Sequence, residues 1–414
     1  MGVGVVRLAT PSKTPNARAV SAGERLGELG SEWVRLDEAV LVWGQTEGAA
    51  RSAGLRVDAP TEEPPLENLR LVTQVGRVFE RKHPDVRVVL DKGRHLVVAL
   101  GGEQARRIER ADDVCYRVRP LVTGETVFRT VVPPAGTPEA GTEALVNEVS
   151  QRSFEEYLTR LADFPTRHSL SADFETAAAW VRAELERLGF AVEAMPISVE
   201  SSTSLNMIAD QPGHGLDSRG LVIVCAHLDS INVDGGPSAP APGADDNGSG
   251  AAALLEIGRV LAGHRAAHDL RLILFGGEEQ GLYGSRQYVE ALPGSERSRV
   301  RAVINMDMVA TLNTPERTVL IEGAGVSQEL MDELAAAAAT YTGLVVQTSL
   351  DPFNSDHVPF IDAGMPAVLT IEGADRGNGN VHTAGDTLDH IDYGLAVEIM
   401  RMNVASSAAA LGSG

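Results

Sequence analysis

The sequence predicts an α/β protein, with a mixed, largely parallel central sheet sandwiched by helices and a smaller α+β domain ahead of it. Three observations carry this. After residue 145, short apolar runs alternate with helical periodicities, the pattern of sheets built by strand–helix repetition. Four of those runs, 221–226, 270–275, 300–305 and 366–371, are apolar at nearly every position, as strands are when helices cover both faces. Finally, 414 residues exceed the about 250–300 that one core supports, so two domains are expected.

The elements follow in order. The N-terminus, MGVGVVRLATPSK, lacks the long apolar stretch of a signal peptide. A short Pro/Glu-rich linker is expected at 59–65 (APTEEPP), then a helix over 66–81. Residues 86–90 and 96–100 flank Asp91-Lys92-Gly93-Arg94 and predict a β-hairpin with a Gly-containing loop. Further strands are expected near 115–118 and 126–132. The stretch 133–142 (PPAGTPEAGT) is the expected domain boundary, because the patterns change across it. It separates an N-terminal domain, residues 1–140, which carries no catalytic constellation, from a second domain, residues 145–414. There, 172–188 predict an amphipathic helix with Phe174, Ala177, Ala178, Val181, Leu185 and Leu188 on one face and Gly189 ending it. Helices over 250–261 and 328–340 alternate with the four apolar strands.

Charge narrows the partners. A formal net charge of −21 argues against nucleic acid, whose binding leans on Lys and Arg, and against an anionic membrane surface. No apolar run is long enough to span a bilayer. The two cysteines, Cys115 and Cys225, lie far apart and form neither a CxxC zinc motif nor a disulfide framework. Cys225, inside an apolar strand, reads as core.

The chemistry gathers at strand ends. Run 221–226 leads into His227-Leu228-Asp229, run 270–275 into Gly276-Gly277-Glu278-Glu279, and run 300–305 into Met306-Asp307. Asp245-Asp246 precede the helix that starts at Gly250, and Val381-His382-Thr383 follow the last strand. Singly, each has an ordinary explanation: a hydrogen-bonding histidine, solvated surface acids, an N-cap or a turn residue. Together they differ, because ligand sites in open α/β sheets lie at the carboxyl ends of strands. Two histidines and at least three carboxylates converging there make a nitrogen–oxygen donor set that favours Zn²⁺ over Ca²⁺ or Mg²⁺. Asp246, Glu279 and Asp307 would repel one another unless cations neutralised them, and two divalent ions about 3.5–4 Å apart would do so.

The ordered set HLDS (227–230), PGADDNGSG (242–250), GGEEQGLYGS (276–285), NMD (305–307), SDHVPF (355–360) and VHTAGDT (381–387) resembles the bacterial di-zinc leucyl aminopeptidases. These belong to metallopeptidase family twenty-eight, which also includes glutamate carboxypeptidases and glutaminyl cyclases. The resemblance covers about residues 145–414. It implies two Zn²⁺ ions, one held by His227 and Asp307, the other by Glu279 and His382, with Asp246 bridging. Asp246 is preferred for its place ahead of the Gly of DNGSG, and Asp245 stands as the alternative. The resemblance further implies Glu278 as general base, Asp229 orienting His227, Asp386 supporting the site near His382, and Asp356 and His357 near the substrate pocket. The implied substrates are peptides with a free N-terminus and an apolar first residue such as Leu. Many relatives are exported.

Other hydrolytic signatures are absent: no HExxH helix, no GxSxG elbow, no phosphate-binding GxxxxGK[ST] loop. A glutamate-type carboxypeptidase or a glutaminyl cyclase would share the metal-site fold, and a metal-free binding domain is the reading from outside enzymes. The first domain reads either as a pro-segment or lid, or as a partner-binding or structural module.

Overall fold

The computed structural model describes residues 3–7, 32–43, 56–57, 64–109, 115–215 and 219–412. The linker expected at 59–65 lies largely outside them. The chain divides into two compact units. One comprises Met1–Val132 with two later segments, Gln347–Phe353 and Ala374–Gly379. The other comprises Pro133–Val346, Asn354–Gly373 and Asn380–Gly414. Neither later segment has a composition that separates it from its neighbours in sequence.

The first unit contains an antiparallel sheet in the order Arg87–Lys92, His95–Ala99, Leu69–Gln74, Tyr116–Pro120. The first two strands are the expected hairpin, turning at Gly93 with φ +85°, a backbone region open to glycine. The helix expected over 66–81 is replaced by the strand Leu69–Gln74, with α-helix confined to Val78–Lys82. Alternation decides it. Leu69 and Leu71 enter one apolar cluster with Val97 and Phe128, while Val72 enters another with Phe79, Val98 and Tyr116. Side chains that part to opposite faces at every second residue fit a strand, and a helix would place them on one side.

The second unit is built on strands in the order Ala191–Val199, Ser202–Gln211, Asp269–Phe275, Leu221–His227, Val300–Met306, Ala367–Glu372, Thr318–Glu322. From Asp269–Phe275 to Ala367–Glu372 neighbours are parallel, and the flanking pairs are antiparallel. The sheet is therefore mixed with a parallel centre. On one face Ile223, Cys225, Ile273 and Phe275 pack against Tyr288, Val289 and Phe360 of helices Tyr283–Ala291 and His357–Asp362. Helices Gly250–Leu261 and Tyr393–Leu411 pack against the central strands as well. Residues 221–227 are buried throughout, which explains their unbroken apolar character. Cys115 and Cys225 are not joined in a disulfide. Among the described residues no helix is long and apolar enough to cross a membrane.

Candidate metal centre

The parallel centre fixes where the polar residues go. His227 is the last residue of its strand, Asp307 follows Met306 at the end of the next, and Gly276-Gly277 turn the chain after Phe275 so that Glu278 and Glu279 fall beside them. Gly277 has φ +68°, accessible to glycine at little cost. The turn before helix Gly250–Leu261 carries Asp246, whose φ/ψ of −102°/96° takes its side chain out of helical register. Asp246 and Asn247 are joined by a cis peptide.

These residues converge. His227 Nε2 lies 3.3 Å from Asp307 Oδ1 and 3.4 Å from Asp246 Oδ1. His382 Nε2 lies 3.1 Å from Asp246 Oδ2 and 2.9 Å from Glu279 Oε2. Asp246 thus turns one oxygen to each imidazole. Glu278 Oε2 stands 4.0 Å from His227 Nε2. Donor atoms of His227, Glu278 and Asp307 lie within 4.8 Å of one another, as do those of His227, Asp246 and Glu279. Asp245 points elsewhere and accepts from the Ala310 amide at 3.0 Å.

A second ring of contacts holds the donors. His227 Nδ1 is 3.1 Å from the backbone carbonyl of Asp229. A carbonyl only accepts, so Nδ1 carries a proton and Nε2 is the nitrogen turned to the cluster. The Asp229 carboxylate stands beside the same nitrogen, with Oδ1 3.6 Å from Nδ1, so Asp229 faces the ring with both its main chain and its side chain. The carboxylate also accepts from the amides of Glu278 and Glu279, at 3.3 and 3.2 Å, fixing the turn that presents both. Asp386 is placed beside the same cluster. It accepts from the amides of Asp245 and Asp246, each at 2.9 Å, and so braces the Asp246 turn. His357 Nε2 lies 3.4 Å from Glu322 Oε1, a buried pair outside the cluster, and Asp356 is fully buried next to it.

Two supporting residues escape a reading of the sequence. Ser355 Oγ donates to Asp307 Oδ2 at 2.7 Å and accepts from Asn305 Nδ2 at 2.8 Å; its place in SDHVPF was the available signal. Arg167, fully buried, donates to the carbonyls of Leu161, Leu228 and Gly243 at 3.0, 2.9 and 2.8 Å. It fastens the loops after the His227 strand and before Asp246, and nothing in its local sequence marks it. Burial lowers its pKa to about 10, so it stays a cation at neutral pH, facing Asp386, Asp229 and Asp246.

One arginine does not balance this many acids. Burial, then the charges of Asp307, Asp356 and Glu279, push the Glu278 carboxyl well above its usual range. Burial, then Asp246, pushes Glu279 up to about 7. Burial, then Asp245, pushes Asp386 up to about 8. Burial alone would lower the His227 pKa, but Glu278 and Asp307 outweigh it and hold the ring well above its ordinary value. Glu279 Oε1 is buried with no hydrogen-bond donor among the described residues. Such a site lacks positive charge, and divalent cations would supply it. The spacing also fits, since donors about 2.0–2.2 Å from a tetrahedral ion stand roughly 3.3–3.5 Å apart, close to the separations around His227.

Residues 206–407, which include His227, Asp246, Glu278, Glu279, Asp307 and His382, match Peptidase family M28. These residues form an M28 family domain. Leupeptin-inactivating enzyme 1 of Streptomyces exfoliatus is 32% identical over 209 residues, 49% of this chain and 44% of that protein. A probable leucine aminopeptidase of Arthroderma otae is 29% identical over 294 residues, 66% of this chain and 78% of that protein. The match thus spans less than half of the Streptomyces protein. The LapA aminopeptidase of Legionella pneumophila shares the fold with a TM-score of 0.60 at 17% identity, over 83% of this chain and 98% of that one. Arg167 lies ahead of the matched M28 residues.

Proposed function

We propose that this chain is a zinc aminopeptidase that removes N-terminal, preferentially apolar, residues from peptides. The observation that carries the reading is the shared carboxylate. Asp246 faces both His227 and His382, each imidazole has a further acid beside it, and Glu278 is left over next to His227. In this reading His227 and Asp307 hold one ion, Glu279 and His382 the other, and Asp246 belongs to both. The M28 assignment and the aminopeptidase names among the relatives support it.

Zinc ions held there would supply Lewis acidity, lowering the pKa of water and polarising a carbonyl. The protein's own groups do the rest. The oxygen of a water molecule attacks the scissile carbonyl carbon while Glu278 accepts its proton. As the C–N bond breaks, Glu278 passes that proton to the leaving amine, so one water is consumed and the carboxylate is regenerated. Asp229 holds the Glu278 backbone in place, and Ser355 and Asp386 keep Asp307 and the Asp246 turn from shifting as charge develops.

The test is cleavage of a leucyl chromogenic amide beside its N-acetylated twin by zinc-loaded protein. The expected result is cleavage of the free amine alone, abolished by a chelator and restored by zinc. Cleavage of both substrates would contradict an N-terminal requirement. Failure on both, with zinc bound, would favour a carboxypeptidase or cyclase.

A further inference from the structure

The first unit includes two segments that come from far along the chain, Gln347–Phe353 and Ala374–Gly379. Both are placed pointedly. Phe353 comes just ahead of Ser355, whose hydroxyl holds Asp307. Gly379 comes just ahead of His382. What grips these segments is the hairpin turn at Gly93-Arg94. Arg94 Nη2 donates to the Phe353 carbonyl at 2.9 Å, and Nη1 lies 3.4 Å from Asp375 Oδ2. Arg94 and Asp375 are 4% and 1% exposed, so the pair is desolvated. Nearby, Arg117 donates to the Pro352 carbonyl at 3.0 Å and stands 5.2 Å over the Phe353 ring. Thr73 donates to Asp351 at 3.1 Å.

A buried ion pair is a poor way to gain stability, because desolvation offsets most of the attraction; its better-attested use is to fix one arrangement among several. Arg94 can do so because its planar fork reaches two loops at once. The same segments make further contacts: Ser349 Oγ donates to the Val127 carbonyl at 2.9 Å, and Arg119 Nε lies 3.5 Å from Asp351 Oδ1.

Resting on the aminopeptidase reading, we propose that Arg94 is a positioning residue for the active site. It fixes the segments that lead to Ser355, whose hydroxyl holds Asp307, and to His382.

The test uses the full chain with Arg94→Met and Arg94→Lys. Amide hydrogen exchange is followed in peptides covering 350–357, 374–383 and 221–227, alongside zinc content, kcat and KM on the leucyl amide. Arg94→Met should speed exchange roughly tenfold or more in the first two peptides and leave 221–227 unchanged, as expected when a buried charge loses its partner locally. The kcat/KM at saturating zinc should fall by a similar factor, and Arg94→Lys should recover part of both. Unchanged exchange in the two segments, or an equal rise everywhere, would overturn the proposal. If the parent does not cleave the amide, the aminopeptidase reading fails, while the exchange data still decide on the positioning role. If Arg94→Met does not fold, Asp375→Asn is measured in the same way, and the same outcomes support or overturn the proposal.

Discussion

Asp246 and Glu278 sit in one cluster, and their neighbours push them in opposite directions. Asp246 is held at its amide by Asp386 and faces an imidazole on each side. Burial opposes ionisation, yet hydrogen bonds from His227 and His382 keep this carboxyl below its usual range, as suits a permanently charged donor. Glu278 is the opposite case, held well above its usual range by burial and by the charges of Asp307, Asp356 and Glu279, so cations at the centre would favour the ionised form that accepts a proton. Its oxygen nevertheless lies within ligand reach of His227 and Asp307, so base and ligand must be told apart. Glu278→Gln is expected to cut turnover by about 10²–10⁴-fold, with zinc content by atomic emission unchanged. Loss of zinc in that variant would make Glu278 a ligand. At this scale the sequence was informative. The motifs named residues that the structure brings together, but that the Asp229 carboxylate also holds the Glu278 and Glu279 amides depends on how one turn closes in space. Arg167 was invisible because its partners are main-chain carbonyls, which carry no side-chain signature.

Elements were legible where one physical rule governed them. The four central strands are apolar on both sides, and helix Ala172–Arg187 shows a clean stripe, capped by Ser171 and ended at Gly189 with φ +96°. Elements obeying two rules were not. Strand Ala191–Val199 contains Pro196, which reads as a break, yet it is the edge strand where a missing amide donor is tolerated. Helix Tyr393–Leu411 is buried along nearly its whole length, so no polar stripe gave a helical period. The helix that follows Asp246 gives a sharper test. A Cβ on Gly250 would stand 2.3 Å from Asn247 Oδ1 and 2.6 Å from the Met306 carbonyl. Gly250→Ala must push back the turn bearing Asp246 or the strand end bearing Asp307. A destabilisation of about 1–3 kcal/mol and weaker zinc binding are expected, read by denaturant unfolding and zinc titration. Unchanged zinc affinity would mean that the strain relaxes away from the site.

For the whole molecule, the acids that create the site also work against the fold when no cation is present. Asp386 titrates at about 8, and Glu279 and Asp356 at about 7, each raised chiefly by burial, against about 4 in an unfolded chain. Between those values the folded chain binds more protons than the unfolded one, so metal-free stability falls as pH rises from about 4 towards 8. His227, also raised, acts in the same direction above its ordinary pKa. Asp246, lowered, acts only below the ordinary carboxylate range. Calorimetry should therefore show the chelator-treated chain melting lower at pH 8 than at pH 5.5, and the gain in Tm from zinc growing over the same interval. A metal-free Tm that rises across it would contradict the charge account. The division into two units is the feature least readable from sequence, because segments 347–353 and 374–379 join the first unit from within the second. The most direct test of the central claim is zinc titration of the stripped full chain, following bound zinc and leucyl amide cleavage together. The account predicts two tight equivalents per chain, with full activity only at the second. Full activity at one equivalent, or with none, would contradict it.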